Sequence, residues 1–384
     1  GSPAMRFLWR LRCNPSSLSY SRGILPSRSL YWLRASGPAR FSSLTARSAM
    51  PVAAILAETF GPPEVLKLGE KELPKLGRGQ VRVRIAAAGV NPSDTYMRLG
   101  PHGPWAATPH LLPSLPFTPG KDGAGLVEEV GEGVSNVQVG QRVYFAGCVT
   151  GTYASEAICD AGSVFQLPDS VSFAQGACVG VPCATAHHAL RFRARAAVGQ
   201  RVLVHGASGA VGLAAVQLAK DMGCFVAGTA GTTGGEEAVR AAGADFVVNH
   251  RVEGYVAKLQ EASPQGFDVV LEMAAHANLP VDLTLAGRRS CVCIIGSRAE
   301  PVGVNPRATM VREVDVRGVF LGTQSAEERA ETHAALQDAM ARGALKPVVG
   351  MELPLAEAAR AHVEVMGPSS GGAVGNIVLI PSAL

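Results

Sequence analysis

From about Val171 to Leu321 the chain alternates short apolar runs with stretches whose apolar residues recur at helical spacing. Candidate buried strands are Val202–His205, Phe225–Thr229, Phe246–Asn249, Val269–Met273, Cys291–Ile295 and Val316–Leu321, with helices such as Gly212–Met222 and Glu236–Ala242 in the gaps. Six strands joined by helical crossovers are what a doubly wound parallel sheet needs. The flanking sequence has a different period. From Val52 to Ile85 apolar and polar positions alternate between Gly and Pro punctuation, and GAGLVEEVG, QRVYFAG and TYASEAICD continue this pattern of short antiparallel strands. Residues 100–116 (GPHGPWAATPHLLPSLP) predict a long proline-rich loop. AEERAETHAALQDAMARG predicts an amphipathic helix, after which short strands return and end in GNIVLIP. The expected fold is α/β, with a β-rich domain of residues 50–171 and 319–384 split around a doubly wound domain of residues 172–318.

The first strand of the inner domain runs into His205-Gly206-Ala207-Ser208-Gly209-Ala210-Val211-Gly212 and then straight into a helix. Ala207 takes the place of the first glycine of a G-x-G-x-x-G turn. The remaining physics is intact: Gly209 lets the backbone approach a pyrophosphate, Gly212 lets the helix pack closely on the strand, and the helix N-terminus offers free N–H groups to phosphate. The predicted ligand is a dinucleotide. The second strand ends Ala227-Gly228-Thr229-Ala230-Gly231-Thr232-Thr233, with no carboxylate to bind the ribose hydroxyls or repel a 2′-phosphate. That favours NADP(H), and Arg251, next to His250, is a candidate phosphate partner.

Composition changes this picture only at the N-terminus. Residues 1–4 (GSPA) read as a cloning remnant ahead of Met5, and residues 5–49 as a separate segment with eight arginines, many serines and no acid. This is the composition of a mitochondrial transit peptide and predicts a matrix location, the alternative being a disordered basic tail. Removing it takes the formal charge from +4 to −4, so bulk charge gives no support for nucleic-acid binding. No apolar run is long enough for a membrane span. Eight cysteines without a framework of spacings predict buried thiols rather than disulfides. A catalytic zinc wants Cys or His from separated segments. Neither Ala88-Gly89-Val90-Asn91-Pro92-Ser93-Asp94 nor Pro119-Gly120-Lys121-Asp122 offers them, and His187-His188 diverge by about 100° on a helix, so no metal is expected.

The segments GVNPSDTYMRLG, LPFTPGKDGAGLVEEVG, VLVHGASGAVGLAAVQLAK, GTAGT, VVNHR, IIGSRAE and VNPRATM together resemble the zeta-crystallin-type quinone oxidoreductases, a zinc-free branch of the medium-chain dehydrogenase/reductase superfamily. The resemblance spans residues 51–384. It implies a GroES-like catalytic domain split around a Rossmann domain, NADPH-dependent reduction of quinones, and a homodimer or homotetramer. Residue by residue, it places Tyr96 beside the nicotinamide, with Asn91 and Asp94 shaping the pocket. It assigns Ser208, Gly209, Ala210 and Val211 to the pyrophosphate, Gly231 and His250 to the adenosine phosphate, and Asn278, Ile294, Ile295, Gly296, Ser297, Val319, Phe320 and Leu321 to the nicotinamide side, with Tyr153 as a further cofactor neighbour. Thr233-Gly234-Gly235-Glu236 lacks the cation of related chains, and the Pro101–Pro113 loop is longer than theirs.

Quinones are already electrophilic, so orientation supplies much of the rate. The Tyr96 phenol is a candidate hydrogen-bond donor to the developing oxyanion, while Asn91 and Asp94 also read as residues that fix the loop. Two other readings stand beside quinone reduction. One is reduction of an enone or enoyl thioester, against which the absence of Lys and Arg from the Pro101–Pro113 loop argues. The other is a crystallin-like structural or RNA-binding role, against which the acidic mature charge and the transit-like leader argue.

Overall fold

The computed structural model describes residues 51–298, 301–367 and 374–381; the segment read as a transit peptide lies outside them. The described residues open with the antiparallel pair β1 (Val52–Ala57) and β2 (Leu66–Lys71). The eleven-residue β3 (Gln80–Val90) is the centre of the first sheet. It pairs antiparallel with β4 (Asp122–Val130) along most of its length, β5 (Arg142–Ala146) and β7 (Val164–Gln166) extend the sheet beyond β4, and β6 (Glu156–Asp160) adds to the outer end of β3. The first residues of β3 alternate between buried and less buried, but Ala87–Val90 are buried without a break. The strand therefore delivers its carboxyl end into the interior, where Asn91 precedes the helix Pro92–Leu99. Proline at the first helical position loses nothing, since that N–H has no intrahelical partner.

The inner domain is the doubly wound sheet that the apolar runs predict. Its strands β8 (Arg201–Val204), β9 (Phe225–Ala230), β10 (Phe246–Asn249), β11 (Phe267–Glu272), β12 (Ala286–Ile294) and β13 (Asp315–Gly318) are all parallel, in the order β10-β9-β8-β11-β12-β13. The order reverses between β8 and β11, which opens a crevice beyond their carboxyl ends. The chain then forms the helix Ala326–Ala341 and returns to the first sheet as β14 (Val349–Pro354) and β15 (Asn376–Ile380), the latter pairing with the buried end of β3. Thr332, His333, Leu336, Ala339 and Met340 form the buried face of that helix.

Two strands differ from expectation. β12 starts at Ala286 rather than Cys291, because its first residues, AGRR, carry no apolar run to announce a strand. β13 stops at Gly318, and Val319–Leu321 leave the sheet. Phe320 is exposed and Leu321 begins a short 3-10 turn, so this run is apolar without being a strand.

The strand-to-helix turn after β8 depends on close packing. Gly206 takes φ +59°, a left-handed conformation that a side chain disfavours. A Cβ at Gly212 would lie 2.5 Å from the Gly206 carbonyl oxygen and 2.6 Å from the Ala207 Cα. The helix Ala210–Asp221 thus sits directly on the turn, and it buries Leu213, Val216 and Leu218 against the sheet. Each such burial stabilises the fold by roughly 1.5–3 kcal/mol. Ala207 departs from the glycine pattern without strain because its methyl faces Gly228 of β9, where a Cβ would fall 2.9 Å away.

Candidate active site

Asn91, at the end of β3, is held from two directions. Its main-chain N–H donates to Asp94 Oδ2 at 2.9 Å, and its side-chain Nδ2 donates to Asp122 Oδ2, also at 2.9 Å. Asp94 additionally accepts from the Tyr153 hydroxyl at 3.3 Å. Tyr153 lies 3.2 Å from His362 Nε2, and the other ring nitrogen of His362 lies 3.3 Å from Arg98 Nη1. This buried network crosses from the first sheet to the C-terminal segment and fixes the helix Pro92–Leu99. Burial drives its protonation states. It pushes the Asp94 carboxyl up to about 6 and the Asp122 carboxyl to about 8, and it lowers His362 to about 3. Asn91 and Asp94 are thus tied into the turn that starts the helix, and Asn91 also borders the cleft.

The resemblance makes Tyr153 a neighbour of the cofactor. It is fully buried, and its hydroxyl is spent on Asp94 and His362, so it presents no polar group to a cofactor. Its place is behind the site.

Tyr96 projects from the same helix and is half-buried. Its ring meets Trp105 edge-on at 5.9 Å, so the proline-rich loop folds back over the site. Burial raises the phenol's pKa, partly offset by the charge of Arg298, which lies beyond the end of β12 on the inner domain. The two domains thus face one another across Tyr96.

The glycine turn lines a cleft of about 320 Å³ together with Asn91, Met273 and Asn376. Ser208, Gly209, Ala210 and Val211 run from the turn into the helix N-terminus, where main-chain N–H groups lack intrahelical partners. A Cβ at Gly209 would meet nothing closer than the Gly206 oxygen at 3.5 Å, so a side chain there would enter the cleft itself. The C-terminal segment borders the same turn, with the Gly375 N–H donating to the Ser208 carbonyl at 2.9 Å. At the far end of β9, a Cβ on Gly231 would fall 3.0 Å from His250 Nε2 and 3.1 Å from Arg251 Nε. Gly231, His250 and Arg251 therefore form one group, and no side chain separates the bases from the glycine. The cradle fits a phosphorylated dinucleotide.

The remaining expected residues lie at the carboxyl ends of the strands. Ile294–Ser297 follow β12, and Val319–Leu321 follow β13. Asn278 donates to Glu272 Oε1 at 3.2 Å, which ties it to a buried group formed by His205, Glu272 and Asp282. His205 Nε2 lies 3.1 Å from Asp282 Oδ1, and burial raises both carboxyls to about 7. Among the described residues this is the one group of three with metal-competent atoms close together. It lies beneath the glycine turn, whereas Asn91 and Asp122, at the acceptor side, are hydrogen-bonded to each other. The cleft between Asn91 and the glycine turn is lined by no Cys or His among the described residues. His187 and His188 take separate partners, Thr332 and Gln324. The seven cysteines among the described residues are free thiols.

Sequence reasoning missed Trp105, Lys121, Arg98, His362 and the buried role of Asp122. Asp122 alone left a signal, an acid placed among small residues in PGKDGAG.

The comparisons with known proteins agree with this geometry. Residues 77–169 match the family described as alcohol dehydrogenase GroES-like domain, and residues 210–340 the family described as zinc-binding dehydrogenase. A quinone oxidoreductase from Sus scrofa is 42% identical over 331 residues, covering 86% of this chain and 98% of that protein. The Lama guanicoe quinone oxidoreductase is 44% identical over 330 residues, covering 85% and 97%. The structure of Escherichia coli quinone oxidoreductase complexed with NADPH superposes with a TM-score of 0.75 at 30% identity, over 86% of this chain and 99% of that one.

Two substitutions in the turn separate its roles. Gly209→Val is expected to fold with a near-native melting temperature and to lose NADPH binding, measured by fluorescence titration. Gly212→Val is expected to cost about 1–3 kcal/mol through overpacking, read as a lowered melting temperature. Native affinity in the first variant would contradict the cradle. Asp122 also gives a pH dependence. Its folded pKa is about 8 against an ordinary 3.8, so the native state holds a proton that the unfolded state releases, and stability falls as pH rises toward 8. Glu272 and Asp282, at about 7, act in the same sense. The buried histidines His187, His333 and His362 act oppositely, but only below their unfolded value of 6.5. Melting temperature is therefore expected to fall between pH 6.5 and 8, and less steeply in Asp122→Asn; an equal slope in both proteins would contradict the assignment.

Proposed function

The chain belongs to the zeta-crystallin-type quinone oxidoreductases of the medium-chain dehydrogenase/reductase superfamily, and from that premise we propose that it is an NADPH-dependent, zinc-independent reductase of quinones. It is an oxidoreductase that binds NADP(H). When bound, the dinucleotide supplies the hydride; the protein supplies position, shape and hydrogen bonds. The observation that carries the proposal is the acceptor face itself: an aromatic pair, Tyr96 and Trp105, opposite the inner-domain loop that bears Arg298. Such a face suits a planar acceptor that is already electrophilic. Burial keeps the Tyr96 phenol protonated, so its O–H donates to an acceptor oxygen as charge develops there. The carboxyls of Asp94 and Asp122 stand behind Asn91 and hold the helix in place.

At the adenosine end, NADPH preference is supported by Arg251 and His250 beside Gly231. The transit-like composition of residues 5–49 supports a matrix location. A homodimer or homotetramer is supported by β13, an edge strand of the parallel sheet with Val316 exposed on it. An enone or enoyl-thioester acceptor is the second reading: Lys121 and Arg298 beside Trp105 and Tyr96 favour it, while the Pro101–Pro113 loop itself supplies no Lys or Arg.

NADPH oxidation with 9,10-phenanthrenequinone and with crotonyl-CoA tests the two readings side by side. Turnover of the quinone, with NADPH preferred over NADH, is expected; turnover of crotonyl-CoA alone would replace the first reading with the second. Tyr96→Phe is expected to lower kcat by ~100- to 1,000-fold with NADPH affinity retained, in line with loss of one donor to an oxyanion. Undiminished quinone turnover would remove the hydroxyl from the mechanism.

A further inference from the structure

The proline-rich loop has no Lys or Arg of its own between Pro101 and Pro113, yet the fold brings a cation to it. Lys121 immediately precedes β4, and its main-chain carbonyl accepts from the Gly147 N–H at 2.9 Å, which pins its backbone to the sheet. From there its Nζ reaches the face of Trp105, 5.4 Å from the ring centroid, and Trp105 in turn packs against Tyr96. The side chain is half-buried and belongs to the wall shared by two cavities. The inner one, about 350 Å³, is also lined by Val181, Leu321 and Gly322. The outer one, about 500 Å³, is bordered by Met97, Pro113 and Pro116. Lys121 therefore stands between the strand ends expected to meet the nicotinamide and the loop that roofs the site.

The ammonium makes no hydrogen bond to the described residues, so its three N–H donors are open to a ligand. The nearby acids do not neutralise it. Asp94 and Asp122 feel its charge, but their bonded oxygens face Asn91 and Tyr153 behind the site. Asp160 on the inner cavity accepts from Gln80, and Glu72 lies on the outer rim. Two further cations reinforce the sign: Arg298 toward Tyr96, and Arg329 on the inner cavity. An aromatic ring, a phenol and an unspent ammonium side by side form a recognition set for a flat molecule with a negative group at its edge.

We propose that Lys121 is a specificity residue that selects planar conjugated acceptors carrying a carboxylate or sulfonate, with the ring lying against Trp105 and Tyr96 and the anion on the ammonium. This rests on the quinone-reductase reading and narrows its substrate class. The test compares 9,10-phenanthrenequinone with a ring-sulfonated 9,10-phenanthrenequinone as acceptors for wild type, Lys121→Met and Lys121→Arg. In wild type the KM for the sulfonated acceptor is expected to rise with ionic strength and that for the neutral acceptor to stay flat. In Lys121→Met the ratio of kcat/KM, sulfonated to neutral, is expected to fall about 10- to 100-fold, through KM, as for a lost charge-assisted hydrogen bond. Lys121→Arg is expected to restore most of the ratio. An unchanged ratio in Lys121→Met, or salt dependence equal for both acceptors, would overturn the proposal while leaving quinone reduction in place. If wild type reduces neither quinone, the quinone reading itself falls, and the proposal with it.

Discussion

The hydrogen bond from the Asn91 amide to Asp122, 2.9 Å long and shielded from water, is the constraint on which the acceptor side depends. It ties the end of β3 to the start of β4, the two strands that bound the segment bearing Tyr96, Trp105 and Lys121. Asn91 starts the helix that bears Tyr96, and Asp122 follows Lys121 directly. A buried amide left without its partner costs about 1–3 kcal/mol, so the pair strongly favours a single register. Burial keeps Asp122 in its neutral form near pH 7, which allows a carboxyl to sit in the interior without a counter-charge. The Tyr153–His362–Arg98 chain extends the same clamp to the C-terminal segment.

The cofactor side rests on space rather than on bonds. Gly206, Gly209 and Gly212 each give up a side chain for a different purpose: a left-handed turn, an open cleft, and a helix lying on its own strand. Gly231 does the same at the end of β9, where it leaves His250 and Arg251 unobstructed. Function then follows from how the domains meet. The Rossmann half presents phosphate-binding main chain and strand ends, and the GroES-like half returns through β15, beside the Gly375 contact to the same turn. Chemistry needs little more where the acceptor is already electrophilic.

Much of this was legible in the order of residues because the inner sheet is buried on both faces. Its central strands are apolar, and the crossovers show helical spacing, so four of the six strands lie close to where the apolar runs place them. The exceptions are physical. Val319 and Leu321 are apolar because they pack against the hydrophobic core after the strand has ended, Phe320 between them is exposed, and the start of β12 is polar because Arg288 and Arg289 are exposed there. The glycine turn was readable because close approach permits few residue types. The acceptor side was not. Trp105 and Lys121 meet across sixteen residues through a loop whose path no local periodicity encodes, and Tyr153 carries a hydroxyl that only the fold could show to be already spent.

The most direct test of the account is a crystal structure with NADPH bound. The account predicts pyrophosphate density against the main-chain N–H groups of Ser208–Val211, the 2′-phosphate between His250 and Arg251, and the nicotinamide in the crevice between Leu321 and Tyr96. A dinucleotide seated elsewhere, or a 2′-phosphate pointing away from Arg251 with the nicotinamide turned from Tyr96, would contradict it.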